Sequence, residues 1–391
     1  MTLPSPLAPP YALDELRAQI PSFQQFVPLN HCSQAPATHG TLEAAQAFLR
    51  SWETTGMDWD AWLNEVEAAR TSFARMIGAD ARDVAVFSSV SHATAAVASA
   101  LEFGGGRNRI VLTDAEFPTV GHVWGWQERR GAELTWASPA GDGTDATPVV
   151  EALDSDVRLL SIAHGHYETG ALLPLEALVQ AAHEVGALAF VDAYQTMGTR
   201  TIDVRASEVD FLACGALKYL MGVAGIAFLY VRPGLSERLE PETTGWFGRT
   251  DPFAFDPKTL DWADGARRFD SGTPPLLPAY IARAGLDYVL DIGVDPVAEW
   301  TTHLGAVAIG QAEALGLRLL GPTDPAARSC NTAFDCGDVE GHSVEKQLRT
   351  AGFVVSARGR AIRLAPHGHN SVEDMERAVQ AVAGILNRPR A

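Results

Sequence analysis

Apolar residues recur at helical spacing from Glu43 to Met76, from Ala93 to Leu101 and from Leu175 to Val185, the period that lays one apolar stripe along a helix. Between these stretches lie short apolar or β-branched runs: Val84–Phe87, Arg109–Leu112, Leu159–Ala163, Leu188–Val191, Phe211–Cys214 and Ala227–Val231. Runs this short and this apolar read as strands buried on both faces. Their alternation with helices predicts a mostly parallel sheet covered by helices, an α/β layer. Around Trp246 the texture changes to a Pro- and Gly-rich passage, PETTGWFGRTDPFAFDPKTL and then DSGTPPLLP, too long and irregular for a simple turn. A domain junction is expected there, with a large domain over 22–270. Helical periodicity resumes from Ala279 through Leu315, followed by strand candidates Ser329–Phe334 and Phe353–Ser356, the short RAIRL strand and a last helix from Ser371 to Leu386. That reads as a smaller α+β domain, 271–391, joined by the N-terminal arm 1–21. Internal repeats are not visible, and the Pro/Ala-rich start is expected to be a loose arm.

Composition narrows the function classes. The 391 residues are 47% hydrophobic, enough to bury a large core. Lys and Arg number 30 against 48 Asp and Glu, a net charge of 30 − 48 = −18, which argues against nucleic acid and against an anionic membrane surface. The four cysteines, Cys32, Cys214, Cys330 and Cys336, lack metal-site or disulfide-framework spacing and are expected to be free thiols in a reducing compartment. No signal-peptide pattern and no window of membrane-spanning length is visible. Cytoplasmic residence is the expectation, with no metal.

One lysine raises the question of chemistry. Lys218 ends an apolar run, VDFLACGALKYL, where open parallel sheets place their ligands. A desolvated amine has its pKa lowered and can attack a carbonyl to form a Schiff base; equally, such a lysine can snorkel to water over the sheet end. Asp192, at the end of a strand in AFVDAYQTMG, suits a pyridinium nitrogen or the N-cap of a following helix. In SSVSHATAAV, Ser88 to Thr94 lie between a strand and a helix start, where backbone N–H groups and the Ser91 and Thr94 hydroxyls suit an anion or a plain helix cap.

Together these residues resemble the class V aminotransferase family of pyridoxal-phosphate enzymes, which includes cysteine desulfurases, isopenicillin N epimerase-like proteins and kynureninase. DAYQ and ALKY resemble the family's ring-nitrogen aspartate and Schiff-base lysine. HAT, His92 to Thr94, resembles its phosphate turn, so Ser91, His92, Ala93 and Thr94 are implied cofactor ligands. Phe117 in AEFPTVGHVWGWQ occupies the place of the ring stacked on the pyridine. HGHYETG resembles the H-x-x-x-x-T-G strand end, which implies His166 and Tyr167 near ring or substrate. DSGTPP resembles the G-T-P turn that reaches the neighbouring subunit's phosphate, which implies Thr273 as a ligand and a homodimer with sites at its interface. AIRLAPHGHNSVEDM resembles R-L-S-P-H-x-Y-N, whose arginine grips the substrate carboxylate; here that is Arg363, a task for which a guanidinium fork suits better than an ammonium. Arg358 is a second candidate. The resemblance covers nearly the whole chain and implies fold type I, with a seven-stranded, mostly parallel sheet and pyridoxal 5'-phosphate as cofactor.

Departures from the family pattern narrow the reaction. RGRAIR, Arg358 to Arg363, contains no cysteine, where desulfurases place their persulfide-forming nucleophile. TGWFGR and CGALKY resemble kynureninase segments, yet Leu217 replaces a tyrosine and GTPP replaces S-N-P-P. The expectation is an aminotransferase acting on an α-amino acid, with Lys218 forming the Schiff base and moving the Cα proton, Asp192 holding the pyridinium and Gln195 meeting the phenolic oxygen. The alternatives are a lyase or hydrolase cleaving at the side chain, an epimerase, or a module that binds the cofactor without turnover.

Overall fold

The computed structural model describes residues 7–387. Seven strands form the central sheet: β1 (Val84–Phe87), β2 (Arg109–Leu112), β3 (Glu133–Trp136), β4 (Val157–Ala163), β5 (Leu188–Asp192), β6 (Phe211–Gly215) and β7 (Ala227–Val231). Their order is β1-β7-β6-β5-β4-β2-β3, parallel throughout except that β7 runs against both β6 and β1. The expected mostly parallel, seven-stranded sheet is therefore present. Alternate side chains enter two cores: Phe211 and Ala213 lie in one, Leu212 and Cys214 in the other, the period-two consequence of the pleat.

Helices cover both faces. On one pack α2 (Trp59–Met76), α5 (Leu175–Glu184) and α6 (Leu276–Ile292); on the other pack α3 (Val90–Ala100) and α4 (Pro118–Trp126). The helix that follows the expected 270/271 boundary, α6, thus carries Ala279, Ala282, Leu286 and Val289 into the core of the large layer. The smaller layer is an antiparallel sheet of β8 (Leu319–Leu320), β9 (Thr332–Asp335), β10 (Ser356–Arg358) and β11 (Ala361–Leu364), in the order β10-β11-β9-β8. It packs under α7 (Val294–Ala314), α8 (Gly341–Thr350) and α9 (Val372–Leu386).

Several boundaries differ from the sequence reading for local reasons. The periodicity from Glu43 to Met76 is two helices, α1 (His39–Thr55) and α2, because Gly56 turns left-handed at φ 75° and the Asp58 carboxylate then caps the Ala61 N–H, a C-terminal glycine followed by an N-cap. Gly293 at φ 90° divides Ala279–Leu315 in the same way. The Ser329–Phe334 strand begins only at Thr332, and Phe353–Ser356 is divided between a short strand Phe353–Val354 and β10. The loose-arm reading gives way from Leu13 onward: Leu13–Ala18 is helical, Arg17 pairs with Asp374, and Val27–Pro28 forms a parallel ladder with Phe353–Val354. The first six residues lie outside the described ones.

Candidate active site

β1, β2, β4, β5 and β6 all end on the same side of the sheet, and the loops leaving them enclose a cavity of about 230 Å³. Lys218 stands in the loop three residues past the end of β6. Its Nζ lies 4.2 Å from the centre of the Tyr194 ring and 5.8 Å from that of Phe117, so the amine is held between aromatic faces rather than by a carboxylate. Burial pushes it from the ordinary 10.5 down to about 8, with Asp192 opposing the shift. Both protonation states are then populated near neutral pH.

Asp192 is the last residue of β5 and lines the same cavity. Its Oδ1 accepts the Tyr194 N–H at 2.9 Å, which closes a turn and not a helix. Burial raises the carboxyl, and the Tyr194 N–H and the Lys218 charge hold it back. Beside it Glu116 is buried among neutral donors: Oε1 accepts the Ser161 hydroxyl at 3.0 Å, Ser161 in turn accepts the Trp124 indole N–H at 3.0 Å, and Oε2 has no partner. Burial and then the neighbouring Asp192 push Glu116 well above the usual carboxylate range. Of the two carboxyls, burial disfavours the charged form of Glu116 the more strongly, whereas Asp192 has the Tyr194 N–H and the Lys218 charge to favour its own. Gln195 donates an amide N–H to the Cys32 carbonyl at 3.2 Å, while its buried Oε1 is unpaired.

The helix start that borders the cavity sits one turn earlier than the sequence suggests. The helix α3 begins at Val90, with Ser89 as N-cap accepting the His92 N–H at 3.2 Å. The first N–H groups of a helix have no partner within it, so the free ones belong to Val90 and Ser91, and both residues line the cavity with Ser88, Ser89 and Thr119. Ala93 and Thr94 are inside the helix; the Thr94 hydroxyl is buried and donates to the Val90 carbonyl at 2.8 Å. His92 faces outward against Ser88. Of the four expected residues, only Ser91 borders the cavity.

Phe117 and Tyr167 form the upper wall, edge to face at 5.4 Å. His166 turns away, its Nδ1 bonded to the Thr169 hydroxyl at 2.8 Å. Arg363, on β11, is 1% exposed. Its guanidinium donates to the Tyr167 carbonyl at 2.6 Å and, through the other nitrogen, to the Ser356 hydroxyl at 2.6 Å and the Ser33 hydroxyl at 3.0 Å. No carboxylate neutralises it among the described residues. Arg358 lies exposed at the end of β10, and Thr273 is exposed on the loop before α6; neither borders the cavity. Sequence reasoning missed Tyr194, Glu116 and Thr119. The first two were visible only as neighbours of residues that had been singled out.

The donor set fits one group closely: an amine for an aldehyde, a buried carboxylate for a pyridinium, ring walls, and a helix start with two hydroxyls for a phosphate. Residues 33–381 match the model of the class V aminotransferases. The chain is 34% identical to an uncharacterized aminotransferase, YcbU, of Bacillus subtilis (strain 168), over 95% of this chain and 97% of that protein. It is 30% identical to a kynureninase of Deinococcus radiodurans, over 89% of this chain and 84% of the relative. Its fold superposes on the apo cysteine desulfurase of Thermococcus onnurineus NA1 with a TM-score of 0.86, at 20% identity, covering 98% of this chain and all (100%) of that one. The fold and its site thus define a pyridoxal-phosphate enzyme of fold type I. The chain belongs to the class V aminotransferase family, and pyridoxal 5'-phosphate is its cofactor.

No helix among the described residues is long and apolar enough to cross a membrane.

Proposed function

We propose that this enzyme transfers the amino group of an α-amino acid, with Lys218 as the lysine that holds the cofactor and moves the Cα proton. The observation that carries the reading is the pairing of a cavity amine shifted to about 8 with a buried guanidinium that lacks an acidic partner. An amino acid supplies what each lacks: a carboxylate for Arg363 and a Cα–H for Lys218. To admit that carboxylate the Ser33 and Ser356 hydroxyls, 2.7 Å apart, turn aside and surrender their guanidinium bonds. Asp192 would hold the ring nitrogen, Phe117 a ring face, and the Val90 and Ser91 N–H groups with the Ser91 and Thr119 hydroxyls the phosphate. Bound there, the cofactor supplies an aldehyde and an electron-accepting ring. Thr273, exposed on its loop, is available to a second copy's phosphate in a homodimer.

A second reading, cleavage of the substrate's side chain, is supported by the kynureninase relative. A persulfide relay is not supported: all four cysteines are buried, and burial raises the Cys214 and Cys336 thiols and takes Cys330 to about 11. The test is an absorption spectrum before and after borohydride, with mass mapping of the reduced peptide, then after each of a panel of amino acids. Conversion of the cofactor to pyridoxamine phosphate with one amino acid supports transfer. Release of a side-chain fragment with the cofactor spectrum restored supports cleavage. Reduction onto a lysine other than Lys218 overturns the assignment.

A further inference from the structure

Tyr194 lines the cavity beside the reactive amine, and no role yet explains it. Its ring lies 4.2 Å from Lys218 Nζ. It is placed there by two constraints that converge. Its backbone N–H is tied to Asp192 Oδ1 at 2.9 Å, and its hydroxyl end crosses the terminus of β6, where a Cβ on Gly215 would stand 2.2 Å from the hydroxyl oxygen and 2.3 Å from the ring carbon bearing it. Gly215 has an ordinary strand backbone, so glycine is not required there by φ. Space for the tyrosine requires it.

We propose that Tyr194 is a positioning residue for Lys218, an aromatic rest on which the free amine sits within the cavity, and that Gly215 is the residue that makes room for it. The inference rests on Lys218 being the cofactor lysine. A ring face attracts an ammonium by its quadrupole, more strongly where water is excluded, so the ring favours the charged form and offsets part of the burial penalty. It also holds the amine without a hydrogen bond. An amine parked on a carboxylate must break an ion pair before it can take a proton or attack a carbonyl, whereas one parked on a ring swings free at smaller cost. The titratable and charged groups that act on this amine are Asp192, Arg363, Cys32 and Cys214, and all remain in place in the variants below.

The test is the titration of Lys218 in cofactor-stripped protein, read by competitive acetylation across pH with mass mapping of its peptide. Tyr194→Phe keeps the ring and leaves the titration where it is in the parent protein. Tyr194→Leu and Tyr194→Met remove the ring, and the lysine then titrates lower by about 0.5 to 1.5 pH units. Gly215→Ala displaces the ring and moves the titration in the same direction; if that variant does not fold, the Leu and Met variants decide. An unchanged titration in both Leu and Met variants overturns the role of Tyr194. Borohydride mapping in the parent protein separates this from the larger reading: cofactor found on Lys218 with no titration shift removes only the Tyr194 inference, and cofactor found elsewhere removes both.

Discussion

Arg363 of the small layer donates to the carbonyl of Tyr167, a wall of the cavity in the large layer, at 2.6 Å. The two carbonyls that follow are held in the same way, Glu168 by the Asn331 amide at 3.1 Å and Thr169 by the Arg328 guanidinium at 2.7 Å. The proposed carboxylate clamp and the cavity wall are thus parts of one hydrogen-bonded unit. In Arg363→Lys the single ammonium cannot serve Tyr167, Ser33 and Ser356 together and cannot form a fork. KM for the amino acid should rise about 10- to 100-fold, from the loss of roughly 1.5–3 kcal/mol of charge-assisted bonding, while the cofactor spectrum stays unchanged. Steady-state kinetics beside an absorbance titration checks this.

Lys218→Ala should bind the cofactor without borohydride-reducible attachment at that peptide, and turnover should fall at least about 100-fold, the lower end of what a positioned general base contributes. In the parent protein, cofactor capture should accelerate with pH and level off above about 8, because the amine is half deprotonated there rather than at 10.5. Stopped-flow absorbance across pH reads both.

Asp270 precedes the S-G-T-P turn and is buried in an ion pair with Arg70 at 2.8 Å, while its other oxygen accepts the Val86 N–H of β1 at 2.7 Å. Asp270→Ala removes the shorter of the two carboxylate contacts of a guanidinium that is 3% exposed, leaving Glu67 at 3.3 Å, and takes the acceptor from the Val86 N–H. The expected cost is about 3–5 kcal/mol, read as a lower urea midpoint with an unchanged slope. The variant should also loosen the loop that carries Thr273.

Acid should destabilise the fold well before the carboxylates titrate. His31, His164 and His367 are buried, which lowers them to about 3, 4 and 4 from the ordinary 6.5. They are neutral in the folded chain, so their contribution is complete above about 6.5 and is lost as pH falls from there toward about 4. Within that window each adds about 1.4 kcal/mol of lost stability per pH unit. Urea midpoints at pH 7, 6 and 5 should fall with increasing steepness, and a flat series would remove these histidines from the account.

The sheet was legible because its strands are buried on both faces and read as uninterrupted apolar runs; β7 (Ala227–Val231) is buried at every position. β3 was not, because it lies at the sheet edge with Glu133 and Trp136 exposed and carries no such run. α4, PTVGHVWGW, has two glycines and no polar face to set a period. At the cavity, Asp192 and Lys218 stand out in the sequence because each ends or closely follows an apolar strand, whereas Phe117, five residues past its strand, stands out only through the family resemblance. The helix start lies earlier than HAT suggests because Ser89, not a later residue, supplies the cap. Asn331 and Arg328 were invisible: each acts on the backbone of a segment some 160 positions away (, sequence separations of 163 and 159), and a carbonyl carries no trace of its partner in sequence.

The ladder between Val27–Pro28 and Phe353–Val354 has a consequence for how the protein is made. Among the described residues, a segment near the beginning of the chain finds its strand partner near the end, so during synthesis it waits, unpaired, until almost the whole polypeptide has left the ribosome. The large layer can condense first around its own strands. The small layer closes last, and with it Arg363 reaches the Tyr167 carbonyl: the proposed clamp is completed as the final act of the enzyme's birth.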